Sequence, residues 1–70
     1  MEFKWIDNYE ISVKIQNESV ILSANKEGLL SLANHLTALA NDESPRGHFH
    51  LDEYNSLEEH SAELIIERTE

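Results

Sequence analysis

Asn25-Lys26-Glu27-Gly28-Leu29-Leu30-Ser31-Leu32-Ala33-Asn34-His35-Leu36-Thr37-Ala38-Leu39-Ala40-Asn41 is the stretch on which the fold turns. Leu29, Leu32, Ala33, Leu36, Leu39 and Ala40 recur at helical spacing and make one apolar stripe. Ser31, Asn34, Ala38 and Asn41 fall on the other side, where water solvates them. Asn25 carries the short amide that caps a helix N-terminus, and Glu27 lies in the first turn, where the helix dipole favours negative charge. The segments on both sides read as strands, so this helix is expected to lie across one face of a sheet.

Working back from it, residues 19–24 hold Val20, Ile21 and Leu22 in succession, the pattern of a strand covered on both faces. Asn17-Glu18 makes a tight reversal. Residues 9–16 alternate, with Ile11, Val13 and Ile15 on one face and Ser12, Lys14 and Gln16 on the other. Asp7-Asn8 reads as a turn, and the amphipathic residues 2–6 before it as a short strand or as part of a loosely docked N-terminal arm over residues 1–8. Phe3 and Trp5 in that arm are expected to cover one end of the core.

Downstream, residues 41–47 are dense in breakers, and Pro45 and Gly47 forbid continuation of the helix. Residues 47–52 read as a third strand, with Phe49 and Leu51 inward and His48, His50 and Asp52 outward. A polar loop over residues 53–61 leads to a last strand at 62–68, with Leu64 and Ile66 toward the helix. The order is ββαββ, an α+β two-layer sandwich with one helix on a four-stranded, largely antiparallel sheet. Strands apolar on both faces belong in the centre, which predicts the spatial order 1-2-4-3. The uncovered sheet face would show Lys14, Ile21, His48, His50, Glu63 and Glu67, and is a place to seek a partner.

Seventy residues make a single domain spanning 1–70 with one small core. There is no cysteine, so disulfides, thiolate catalysis and Cys-based zinc sites are excluded. No apolar run is long enough for a signal or membrane helix, and a cytoplasmic protein without a membrane partner is the expectation. Monomer and homodimer are both compatible with this composition. Fourteen Asp and Glu against five Lys and Arg give a net charge of −9. Residues 1–41 hold five acids against three lysines, or −2; residues 42–70 hold nine acids against two arginines, or −7. Such a chain is repelled by nucleic acid and drawn to basic surfaces.

His48, His50 and Asp52 share one face of a strand, where alternate residues are roughly 6.5–7 Å apart, within reach of one metal ion. The pattern is a weak one, because metal sites ordinarily add a third strong ligand, and solvated histidines are the commoner outcome. No cofactor is called for. No nucleophile–base pair stands out, His35 and His60 read as surface histidines, and an enzyme is not expected. The run Asp52-Glu53-Tyr54-Asn55-Ser56-Leu57-Glu58-Glu59 joins four acids to two apolar anchors on one loop. That is the make-up of a charged protein-binding site, or of a solvated loop whose Tyr54 and Leu57 fold back on the sheet.

Four segments together carry a family resemblance: residues 23–29 (Ser-Ala-Asn-Lys-Glu-Gly-Leu), 32–36 (Leu-Ala-Asn-His-Leu), 47–57 (Gly-His-Phe-His-Leu-Asp-Glu-Tyr-Asn-Ser-Leu) and 63–67 (Glu-Leu-Ile-Ile-Glu). They resemble the immunity protein 32 family of bacterial polymorphic toxin systems over about residues 19–68. The resemblance implies a cytoplasmic, non-enzymatic α+β protein that binds and neutralises a cognate toxin. The matching residues His48, His50, Asp52, Glu53, Tyr54 and Asn55 are then candidates for toxin contact, with Glu58 and Glu59 completing the acidic loop. The partner would present a basic surface, a nuclease active site being one example. The alternative is a small divalent-metal-binding domain using His48, His50 and Asp52, or a homo-oligomerising interaction domain.

Overall fold

The computed structural model describes residues 4–41 and 47–69. Phe3 and the breaker-rich residues 42–46, Pro45 included, lie outside the described residues. The elements are β1 (Ile11–Gln16), β2 (Ser19–Ala24), α1 (Lys26–Ala40), β3 (His48–Leu51) and β4 (Leu64–Glu67). The ββαββ order and the α+β class agree with the sequence. The sheet does not: β1–β2 and β3–β4 form two separate two-stranded antiparallel sheets.

The first hairpin closes at Asn17-Glu18, both with left-handed backbones (φ 51° and 68°), the geometry that matches the twist of paired strands. Its register pairs Ile11 with Ala24, Val13 with Leu22 and Ile15 with Val20. Between the hairpins runs residues 58–62. Glu58 N donates to Ile11 O (2.8 Å), Ala62 N to Val13 O (2.8 Å), and Val13 N to Ser61 Oγ (3.2 Å). Residues 58–62, which lead into β4, therefore lie along the edge of β1 away from β2, and the expected 1-2-4-3 order of one sheet does not form. A hydroxyl replaces a backbone carbonyl at Ser61, and His60 takes φ 70°, so no regular ladder forms across this seam.

Pairing with β1 alone also reverses the expected role of Ser19–Ala24. It is an edge strand, and Val20, Ile21 and Leu22 are all exposed. Among the described residues no strand pairs with its outer side. Three successive aliphatic residues signalled burial, but one short helix has too little surface to cover the end of this hairpin.

Asn25 caps α1 and ties it to the sheet. Its Oδ1 accepts from Gly28 N (2.7 Å) and Glu10 N (3.0 Å), while Nδ2 donates to Asn8 O (3.0 Å). One side chain thus satisfies a free helix donor and fixes the approach to β1. Gly28 is pressed against that approach. A Cβ there would stand 2.5 Å from Glu10 O and 2.9 Å from Ile11 Cγ1, so only glycine allows this separation.

Close packing at Gly28 sets the roll of the helix. The buried positions are Gly28, Ser31, Leu32, His35 and Leu39, whereas Leu29 and Leu36 are exposed. The expected stripe is therefore corrected: Leu32 and Leu39 face the core, and α1 is turned toward Ser31 and His35. Ser31 tolerates burial because its Oγ donates to Glu27 O (2.8 Å) and accepts from Ile6 N (2.8 Å). With Asn34 Nδ2 donating to Lys4 O (3.3 Å), residues 4–6 lie docked along α1. The core joins Ile11, Val13, Leu32, Leu39, Phe49, Leu51 and Leu57. Each such aliphatic side chain, fully buried, contributes about 1.5–3 kcal/mol.

Candidate partner-binding site

The alternation of β3 sends Phe49 and Leu51 into the core and leaves His48 and His50 exposed. Their imidazoles meet edge to face at 5.0 Å on the outer face, where His48 pairs with Glu67 and His50 with Ile65 across the hairpin. His50 Nδ1 stands 3.8 Å from Glu63 Oε2 with both groups about half exposed, a contact of little energy in water.

At Asp52 the chain turns sharply, and backbone geometry explains why. Asp52 O accepts from the amides of Asn55, Ser56 and Leu57 at 3.3, 3.1 and 2.9 Å. Asp52 Oδ1 accepts from Tyr54 N (2.9 Å), an Asx turn that the short carboxylate side chain favours. Asn55 closes the loop from the other end: Oδ1 accepts from Asp52 N (3.0 Å) and Ser56 Oγ (2.5 Å), and Nδ2 donates to His50 O (3.1 Å). Leu57 then drops into the core, and Glu53 Oε2 accepts from His60 N (2.9 Å).

The candidate residues thus divide. Asp52, Glu53 and Asn55 hold the loop in shape. His48, His50, Tyr54, Glu58 and Glu59 face solvent, Tyr54 with 89% of its surface free. Of the two apolar anchors, Leu57 folds back and Tyr54 does not. Glu59 approaches His60 at 3.9 Å, both almost fully exposed. Among the described residues no three His, Cys, Asp or Glu side chains come together to hold a metal ion, and Asp52 is turned to its own loop.

Behind the loop is a hollow of about 210 Å³ lined by Trp5, His35, Phe49, His50, Leu51, Asn55 and Ser56. Trp5 stacks on Tyr9 at 4.5 Å and meets the edge of His35 at 4.0 Å; His35 in turn meets Phe49 at 5.7 Å. By sequence His35 reads as a surface histidine, and the structure corrects this: it is fully buried. Burial disfavours the imidazolium and pushes its pKa below the ordinary 6.5. Its spacing held the signal, since His35 is three residues after Leu32 and four before Leu39. Trp5 lies half-exposed at the rim, joining the N-terminal arm to the loop it faces.

The assembly offers an exposed phenol, solvated carboxylates and a shallow aromatic hollow, the groups of a binding surface. No helix of the described residues is long and apolar enough to cross a membrane. Comparison with curated proteins and with solved structures gives no match. The family model described as immunity protein 32 matches residues 19–69, taking in β2, α1, both strands of the second hairpin and the whole loop. With well over half of its length matched, the chain belongs to the immunity protein 32 family.

Proposed function

We propose that this chain neutralises a cognate bacterial toxin by stoichiometric binding in the cytoplasm, docking the loop of residues 52–59 on a basic surface of the toxin. Membership of the immunity protein family carries the reading. The local geometry supports the choice of loop. Hydrogen bonds at Asp52 and Asn55 hold its backbone in one conformation before any partner arrives, which lowers the ordering cost of binding. Tyr54 supplies a protruding aromatic anchor, and Glu58 and Glu59 supply the field that steers a basic partner. His48 and His50 border the same surface. Nothing in this mechanism requires a cofactor, a metal or chemistry on the toxin.

The test is binding to the toxin encoded beside this chain's gene. Tyr54→Ala is expected to weaken affinity by roughly 30-fold or more, mostly through dissociation. The pair Glu58→Gln and Glu59→Gln is expected to slow association and flatten its salt dependence. Unchanged affinity and salt response in both variants would reject this docking surface. Absence of any complex with the toxin would reject the function.

A further inference from the structure

The second surface that needs an occupant is the apolar one along the β1–β2 hairpin. Ile15, Val20 and Leu22 share the sheet face that carries buried Ile11 and Val13, as period two and the cross-strand register require. They are nevertheless 69%, 65% and 39% exposed. Leu29 and Leu36, also exposed, lie on the flank of α1 opposite the one that Trp5 and the N-terminal arm cover. Ile15, Val20 and Leu22 are neighbours across the hairpin register and make an exposed apolar patch of the kind that marks interaction sites. The outer edge of β2 adds a row of backbone groups with no strand beside it among the described residues.

We infer that a second copy of this chain occupies this surface, the two β2 strands pairing antiparallel about a two-fold axis at Leu22. Charge selects this occupant. Two chains of net charge −9 repel one another unless they meet where carboxylates are absent, and Ser19–Ala24 contains no charged residue. The strand is bracketed by opposite charges, Glu18 before it and Lys26 after it. Antiparallel pairing centred on Leu22 brings Glu18 of each copy to the end of the strand where the other copy carries Lys26, an opposite-charge pairing repeated at both ends by the two-fold axis. The same register sets Leu22 against its own counterpart and Val20 against the other copy's Ala24, all on the helix side of the sheet. An isologous contact of this kind closes on itself and does not propagate into fibres. A basic toxin, by contrast, has no electrostatic reason to prefer this face over the acidic loop.

The experiment is the mass of the full chain across a concentration series, with cysteine placement in a background that has none. A dimer is expected, with Val20→Lys and Leu22→Lys each weakening it at least tenfold. Each change also lowers the net negative charge, which on its own would ease association, so a loss of dimer points to the contact itself. Circular dichroism checks folding, and Val20 is exposed enough to accept lysine if Leu22 is not. Leu22→Cys is expected to oxidise to a covalent dimer at least tenfold faster than Tyr54→Cys on the acidic loop. A monomer at every concentration, a dimer indifferent to both lysine variants, or equal oxidation rates would overturn the proposal. A chain that is monomeric alone, but loses toxin binding with Val20→Lys, would give the surface to the toxin. Toxin neutralisation is tested separately, by complex formation with the toxin, and its docking loop by Tyr54, Glu58 and Glu59.

Discussion

The half built from β1, β2 and α1 and the half built from β3, the loop and β4 each rest on one antiparallel hairpin, yet they handle polarity in opposite ways. In the first, polar atoms are drawn inward to lock elements together: Asn25 binds both helix and sheet, and Ser31 is buried beneath the arm. The aliphatic residues left over, Val20, Leu22, Leu29 and Leu36, are then stranded outside. In the second half, Phe49, Leu51 and Leu57 go to the core, and the carboxylates stay in water or turn the loop. One small core cannot absorb every apolar residue of both hairpins, so one face is left greasy and the other acidic.

The strongest way to break the first half is at Gly28. Gly28→Ala forces a methyl group against Glu10 O and Ile11, and backbone on both sides cannot yield cheaply. A loss of about 2–3 kcal/mol is expected, as for overpacked cores, outweighing the better helix propensity of alanine. Thermal melting should fall by on the order of 10 °C. A midpoint unchanged or raised would mean that α1 does not pack this closely.

The corresponding break in the second half is milder. Asn55→Ala removes the acceptor for Asp52 N and the donor to His50 O, both at the exposed side of the loop. Because water replaces those bonds in part, about 1–2 kcal/mol is expected. Hydrogen exchange should show the loss concentrated in residues 52–57, with α1 protected as before. Uniform loss of protection would show that the loop is not an independently held unit.

These two sites also mark what the sequence discloses. The helix, its Asn25 cap, the Asn17-Glu18 turn and the inward Phe49 and Leu51 are local matters of spacing and side-chain type, and all are present. The roll of α1 is not local. Spacing weighs leucines above Gly28, Ser31 and His35, but a missing side chain, a bonded hydroxyl and an imidazole under Trp5 decided which face went in. The sheet order is illegible for a related reason: Val20-Ile21-Leu22 looks the same in a central strand and in an apolar edge. In the loop, composition showed where acids and anchors gather, but only the hydrogen bonds separate Asp52, Glu53 and Asn55 from Tyr54, Glu58 and Glu59.

His35 joins the halves, touching Trp5 on one side and Phe49 on the other, and its titration tests that junction. Its pKa is held below 6.5 in the folded chain by burial, while the unfolded chain titrates near the ordinary value. Below that value the unfolded state binds the extra proton, so the stabilising contribution is full above it and declines as pH falls toward the folded pKa. Urea midpoints at about pH 7.5 and 5.5 should show the native chain losing stability relative to His35→Leu, in which this proton site is gone. Carboxylates and the other histidines are common to both proteins and cancel in the comparison. A constant difference across that range would show that His35 titrates normally, with water reaching the ring.

The smallest expected effect separates the two halves most cleanly. Glu58 and Glu59 are exposed; the backbone of Glu58 binds Ile11, and the Glu59 side chain only approaches a solvated His60. Replacing both with glutamine keeps shape and backbone bonds and removes two negative charges from the C-terminal part of the chain, which carries most of them. Relief of like-charge repulsion and loss of a solvated pair are each small, so unfolding free energy should move by less than about 0.5 kcal/mol. A larger drop would mean that these carboxylates hold the fold together, as Asp52 and Glu53 do. A near-zero change, with toxin association slowed, would assign their charge to the partner, because a group that contributes nothing to folding but governs an encounter rate acts through its field in solvent.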